Sequence, residues 1–431
     1  MLHCFNVLDF INLQVNVTKN PFDFEMDTLF EVGARINPKR SFLFVSKLIG
    51  KHIEVHPDTP KATGHLLGSM FLKNTEGKKF PFEQELISFL KGEEVNIKPI
   101  LNQRHKLKEK TLFIGFAETA TGLAHSVFSA FENAYFVTTT REEVSSIRSV
   151  FDFKEEHSHA TDHRCYLEDS KWLDEAEHVV LIDDEMTTGN TSLNLIRSFH
   201  QHYPKKRYTI LSILDWRTKE HEGNYQRAEE EMSTRIETIS LLRGEYEVLE
   251  EQHLQQDQSE QDEGIGAFRM YVSPIVPRVT VQNDQNQFLS YPLYSGRFGL
   301  DSMNHEDVEA VAIETGKDLA SLRKHEKTLV LGTGEFMYLP SRIASYMGDG
   351  VVYKSTTRSP IYPSKTENYP IQNRICYLNG DGIQHYLYNL EDNGIEEIFI
   401  LHEKDVSSKA LESIAYQLEK CGFSHIVFIN V

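Results

Sequence analysis

Tryptophan and cysteine are scarce in this 431-residue chain, with 2 and 4 copies. The cysteines (Cys4, Cys165, Cys376, Cys421) are scattered and form no CxxC pair. They read as free thiols in a reducing cytoplasm. Positive charge is also short: 45 Lys and Arg stand against 64 Asp and Glu, a formal net charge of −19. A general nucleic-acid binder needs a basic face, so no nucleic-acid partner is expected. A local basic pocket for a phosphorylated small molecule stays compatible with that balance. No apolar run reaches the roughly 18 residues that a membrane span needs. The opening MLHCFNVLDFINLQVNV has no basic stretch followed by a continuous apolar one. Neither a signal peptide nor a membrane association is therefore expected.

What is present is the composition of a globular protein, 40% hydrophobic and 25% charged. Its length exceeds one ordinary core, which implies two domains. Apolar, β-rich runs (TLFIGF at 111–116, NAYFVTTT at 133–140, HVVLID at 178–183, YTILSILDW at 208–216) alternate with helical patterns such as 121–131 and 190–201. That rhythm predicts a parallel sheet with helices on its faces. Further on, IETISLLRGEYEVLE predicts two short strands hinged at Arg243-Gly244. From Glu245 to Gly264 there are eight acidic side chains and no Lys or Arg, and 249–265 reads as a solvated linker. The expected division is a first domain over 1–248 with its core at about 30–218, the linker, and a second α/β domain over 266–431.

The second domain repeats part of the first. At a spacing of 217 residues, Thr111, Leu112, Gly115, Glu118, Thr139, Thr140 and Arg141 meet Thr328, Leu329, Gly332, Glu335, Thr356, Thr357 and Arg358. The halves are either copies or two uses of a strand–Gly–helix turn common to α/β proteins.

The densest chemistry lies in HVVLIDDEMTTGNTS, residues 178–192. An apolar strand buried on both faces ends on two carboxylates, beyond the carboxyl edge where open α/β sheets bind ligands. Thr187, Thr188, Gly189, Asn190 and Thr191 then form a tight loop into a helix. Free backbone N–H groups at such a loop suit a phosphate. Asp183 and Asp184 would repel that phosphate unless sugar hydroxyls lie between, as in a ribose 5-phosphate.

This stretch resembles the phosphoribosyl-diphosphate (PRPP) motif of type I phosphoribosyltransferases. It departs from the motif at Asn190, where glycine is common, and in the extra acid Glu185. INPKRSFLFVSKLIGKHI (36–53), TTR (139–141), EEHSHATDH (155–163) and STTRSP (355–360) extend the likeness. They match the subfamily with a C-terminal TRSP domain, found in bacterial tellurium-resistance-type stress gene clusters. The resemblance implies a type I phosphoribosyltransferase-like parallel sheet with flanking helices, followed by a degenerate α/β domain of similar layout. It implies Mg²⁺, PRPP and a small-molecule base or nucleotide as partners. A homodimer and stress-cluster protein partners are also compatible with it. Asp183 and Asp184 become the catalytic pair, with the option of holding Mg²⁺, and residues 187–191 the 5′-phosphate loop. The loop after the 111–116 strand (Phe116, Ala117, Glu118, Thr119) becomes the pyrophosphate site, with Arg141 at the next strand end.

Three segments stay open at this level. His157, His159 and His163 belong either to a mobile loop that covers the substrate or to a metal site, but HSHATDH is one residue longer than HxHxDH. Lys39 and Arg40 face either a ligand or solvent. In the second domain, Gly332, Gly334, Glu335, Thr357 and Arg358 cluster at strand ends as a pocket that binds its own ligand or shapes the first site. An enzyme that transfers ribose 5-phosphate and a non-catalytic PRPP- or nucleotide-sensing regulator both fit these residues.

Overall fold

The computed structural model describes all residues except 1, 154–162, 168, 255–263, 274, 275, 284, 285 and 392. His157 and His159, expected on a mobile loop or in a metal site, and most of the acidic linker lie outside the described residues. Among the described residues no helix is long and apolar enough to cross a membrane.

Five parallel strands form the heart of the larger sheet: His105–Gly115, Phe131–Thr140, His178–Met186, Arg207–Asp215 and Arg235–Glu250. Numbered along the chain, they lie side by side in the order 2-1-3-4-5. Their centres are apolar on both faces, as helix-covered parallel strands must be: Val179, Val180, Leu181 and Ile182 are all fully buried. The order reverses between His105–Gly115 and His178–Met186. Helices turn to opposite faces there, and a crevice opens beyond the two carboxyl ends.

The hinge predicted at Arg243-Gly244 is a change of partner inside one strand. Residues up to Arg243 pair in parallel with Arg207–Asp215. From Gly244 onward the strand pairs antiparallel with Ile11–Lys19, itself half of a hairpin with Leu2–Val7. A Cβ at Gly244 would meet the Asn16 carbonyl oxygen at 2.6 Å, so a side chain has no room at the switch.

A second, smaller sheet is wholly parallel. Its strands Thr328–Gly332, Val351–Ser355, Glu397–His402 and His425–Asn430 lie in the order 2-1-3-4, and Arg269–Val272 adds to the outside of the fourth. The molecule is thus an α/β protein with a mixed, mainly parallel sheet flanked by helices and a second α/β unit.

The halves are clamped by buried charge. Arg342 donates to Asp58 Oδ1 at 2.6 Å and to Glu309, while Lys61 Nζ lies 2.6 Å from Glu309 Oε1. Glu309 also accepts from the hydroxyls of Tyr338 and Tyr346, at 3.2 and 3.0 Å. Burial drives Lys61 down to about 8 despite Glu309, whereas the Glu309 carboxylate, against the same burial, is held well below its usual range by Arg342 and Lys61. Breaking such a group costs far more than forming it stabilises.

Candidate active site

The crevice at the switch point is a cleft of about 330 Å³. Strand and loop residues from both sides of the reversal line it: Phe116–Thr119 and Arg141 on one side, Asp183–Glu185 with Thr187 and Thr191 on the other. Two further contributors come from far along the chain. Arg35, Arg40 and Leu43 arrive from the hairpin Phe30–Ala34/Phe42–Ser46, and Thr357, Arg358 and Ser359 from the second half.

Asp183 and Asp184 emerge where the apolar strand stops. The Asp184 N–H donates to Asp183 Oδ1 at 2.9 Å. Burial, and then the neighbouring charge of Glu185, push the Asp184 carboxyl up to about 6. Glu185 in turn accepts from Arg40 at 2.8 Å, and that guanidinium lies 4.5 Å from the centre of the Phe42 ring. Of the adjacent cations, Arg40 enters the cleft and Lys39 is exposed. The hairpin that carries Arg40 rests on an aromatic base in which Phe44 meets Trp216 at 4.8 Å and Phe42 meets Tyr246 at 5.4 Å.

The Thr/Gly loop enters the helix Asn190–His202 through Gly189, whose φ of +73° favours a residue without a Cβ. A Cβ would also meet the Tyr225 hydroxyl at 2.5 Å. That hydroxyl donates to the Gly189 carbonyl at 2.7 Å. Arg217 stacks on the Tyr225 ring at 4.4 Å and grips Asp215 with two hydrogen bonds of 2.9 and 2.7 Å. Sequence reasoning missed this buttress; its signal was the charged pair at the end of YTILSILDWR. Thr188 Oγ1 accepts the Asn190 N–H at 3.3 Å, while Thr187 and Thr191 border the cleft.

On the opposite wall, Gly115 lets the following helix approach: a Cβ there would stand 2.5 Å from the Ala124 Cβ. The Ala117 N–H donates to Thr139 Oγ1 at 2.9 Å. Glu118, an odd residue for an anion site, is buried against cations. Its carboxylate meets Lys51 Nζ at 2.7 Å and Arg358 Nε at 3.4 Å. Burial alone would raise its pKa, but the charges of Lys51, His385 and Arg358 bring it down to about 2. Lys51 was also missed, because nothing local in SKLIGKHI marks a lysine that ends fully buried.

His163 lies in the strand His163–Cys165, fully buried, with Nδ1 3.2 Å from Thr139 Oγ1, and not on a covering loop. The second-half residues divide. Gly334 and Glu335 line a separate, smaller cavity of about 60 Å³, Thr357 lines the large cleft, and Arg358 borders both. Gly332 lines neither cavity; a Cβ there would meet the Phe336 carbonyl oxygen at 2.4 Å. Among the described residues no group of three or more His, Cys, Asp or Glu could hold a metal ion alone.

A family model described as phosphoribosyl transferase matches residues 29–245, half of the chain. The chain belongs to that family. A second model, described as the TRSP domain C-terminal to that phosphoribosyl transferase, matches residues 294–418. No curated protein matches. Among solved structures, adenine phosphoribosyl transferase from Trypanosoma brucei is 12% identical, over 53% of this chain and 82% of that one, with a TM-score of 0.31. A hypoxanthine phosphoribosyltransferase from Staphylococcus aureus is 12% identical, over 45% of this chain and 79% of that one, with a TM-score of 0.22. The APRTase from Giardia lamblia, solved with 9-deazaadenine, is 16% identical over 32% of this chain and 70% of that one, with a TM-score of 0.20. This phosphoribosyl transferase cleft therefore has to be read from its own residues.

Proposed function

We propose that this chain transfers ribose 5-phosphate between PRPP and a nitrogenous base, making or salvaging a nucleotide-like metabolite. The observation that carries this reading is the convergence, in one cleft at the switch point, of an acid pair, a threonine loop at a helix start and a cationic rim. In this reading Thr187 to Thr191 hold the 5′-phosphate, with backbone N–H groups and hydroxyls as donors. Asp183 and Asp184 accept hydrogen bonds from the ribose hydroxyls. The loop Phe116–Thr119 and Arg141 receive the pyrophosphate.

Leaving-group departure from C1 builds positive charge on the sugar in an oxocarbenium-like state. The Asp184 carboxylate, once ionised, stabilises that charge at close range. The hairpin carrying Arg40 and Leu43 covers the place where an acceptor base would stand. Catalysis is then chiefly positioning and electrostatics.

The donor set suits Mg²⁺. Asp183 and Asp184 offer hard oxygen ligands, and a bound cation would offset the burial and the Glu185 charge that raise the Asp184 carboxyl. A set too small for an all-protein cage matches an ion that keeps waters and substrate oxygens as ligands. When bound, Mg²⁺ would neutralise diphosphate charge.

The test is a thermal melt with and without PRPP plus Mg²⁺, followed by pyrophosphate release across a panel of bases. A melting rise and base-dependent release are expected. Identical melting curves would sink the reading. Binding without release for any base would leave a PRPP sensor instead of an enzyme.

A further inference from the structure

The repeat extends to individual hydrogen bonds, with the spacing of 217 residues widening to 222 at the histidine and tyrosine that follow. The Ala117 N–H donates to Thr139 Oγ1 at 2.9 Å, and the Gly334 N–H to Thr356 Oγ1 at 2.9 Å. Thr139 Oγ1 lies 3.2 Å from His163 Nδ1, and Thr356 Oγ1 lies 3.0 Å from His385 Nδ1. The Val144 N–H donates to the Tyr166 hydroxyl at 3.0 Å, and the Ile361 N–H to the Tyr388 hydroxyl at 2.8 Å. A shared turn type does not reproduce side-chain bonds this far from the turn. The halves share one layout down to these bonds.

They also exchange segments. The carbonyl of Gly50, in the first half, accepts from Ser355 N in the second at 2.7 Å. The carbonyl of Gly296, leading into the second half, accepts from Thr138 N in the first at 3.1 Å. Val55 pairs with Tyr353 and Leu300 with Phe136, again equivalent positions. The cation after each glycine pairs with the acid of its own Gly-x-x-Glu turn: Lys51 with Glu118 at 2.7 Å, Arg297 with Glu335 at 2.8 Å. Each acid then crosses over. Glu118 reaches Arg358, while Glu335 accepts from Thr140 Oγ1 at 2.7 Å and from the Arg141 N–H at 3.2 Å. This is the reciprocal pattern of a twofold subunit interface, built within one chain.

The symmetry breaks at the third strand. Asp183 and Asp184 correspond to His402 and Glu403. There Arg297 fills the space, gripping Glu403 at 3.0 and 2.5 Å, and Lys404 bridges Glu142 and Asp381 at 3.1 and 2.8 Å. The second site is closed by its own ion pairs. Its strand-end arginine, Arg358, reaches past it to border the first cleft as well, with Thr357 and Ser359.

We propose that the second half acts as a tethered second subunit that supplies Arg358 to the diphosphate of the bound sugar, with Glu118 standing in for that anion when the cleft is empty. This rests on the PRPP reading above. The two contacts of Glu118 differ in kind. The Lys51 ion pair is close, at 2.7 Å between Nζ and Oε1, and Lys51 Nζ is also held by the Gly334 carbonyl at 2.8 Å, whereas the Arg358 contact is looser at 3.4 Å. Arg358 Nε is buried without a hydrogen-bond partner. An arriving diphosphate therefore exchanges the looser partner: Arg358 swings to the ligand, and Lys51 retains Glu118.

Full-length Arg358→Ala, Arg358→Lys and Asp184→Asn would be titrated with PRPP plus Mg²⁺ and with ribose 5-phosphate, which lacks the diphosphate. Arg358→Ala should weaken PRPP binding by roughly 10- to 100-fold, the worth of a charged hydrogen bond. It should leave ribose 5-phosphate affinity unchanged, and Arg358→Lys should recover part of the loss. An equal loss for both ligands would overturn the proposal, since it would mark a structural role. Unchanged PRPP binding in Arg358→Ala, beside loss in Asp184→Asn, would overturn it and keep the PRPP reading. A wild-type chain that binds neither ligand would overturn both. Arg358→Lys retains charge and bulk, so the comparison survives if the alanine variant folds poorly.

Discussion

The cleft at Asp183 and its counterpart at His402 sit at the same place in two copies of one sheet layout. Both end a buried third strand, and both face a Thr-Thr-Arg strand end. One is open at about 330 Å³ and the other nearly shut at about 60 Å³. At Asp183 the acids gather beside Arg40, which bonds Glu185, and burial together with the charge of Glu185 raises the Asp184 carboxyl. At His402 burial lowers the imidazole to about 4 and leaves it neutral, while Arg297 and Lys404 saturate the neighbouring carboxylates. Topology supplies the location in both halves. Whether the location stays a binding site depends on whether its charges are already answered from within.

The sharpest way to break the comparison is Asp184→Asn. Activity should fall on the order of 10²- to 10³-fold, as when one preorganised group facing developing charge is lost. Thermal stability at pH 7 should hold or rise. The sign follows from linkage: a carboxyl whose folded pKa is raised binds protons more tightly in the folded chain. The fold therefore loses stability as pH climbs from about 3.8 to about 6, and the asparagine removes that loss. Steady-state rates beside a melting curve check both parts.

Next in size, Glu309→Ala would strand Lys61 between the halves and leave Arg342 to Asp58. Urea unfolding should report a loss on the order of 3–5 kcal/mol. A loss below about 1 kcal/mol, the worth of an exposed pair, would mean that the halves are not clamped by that group. Gly189→Ala then tests the proposed phosphate loop. A positive φ combined with the Tyr225 contact should cost about 1–3 kcal/mol in stability, and PRPP affinity should drop with it. The smallest effect is in pH dependence. The value of kcat/KM should rise with pH up to about 6 and then level, so that pH 5 gives about a tenth of the plateau. A profile flat across that range would remove Asp184 ionisation from the reaction.

Much of the sheet was legible, because fully buried parallel strands leave continuous apolar runs such as VVLI and TILSIL. The acid pair and the threonine loop were legible for the same reason: a motif local in sequence stays local in space. The N-terminal hairpin was not read, although INLQVNV alternates strictly and buries Ile11, Leu13 and Val15; that it joins the sheet beside Arg235–Glu250 depends on pairing far along the chain. Glu118 looked misplaced in an anion loop because both of its cations lie elsewhere, Lys51 far upstream and Arg358 in the other half. The 217-residue repeat was visible as letters. That the copies face each other and trade straps is a long-range property, and no periodicity encodes which edge meets which.

The exchanged straps bear on how the molecule responds to dilution. An assembly of separate subunits comes apart when its concentration falls below the dissociation constant, and a composite pocket is lost with it. Here Gly50 and Gly296 hook the halves together along one covalent thread. Arg358 therefore faces the first cleft at a local concentration that the bulk solution does not set. Turnover per molecule should stay level from micromolar to nanomolar protein, limited only by unfolding.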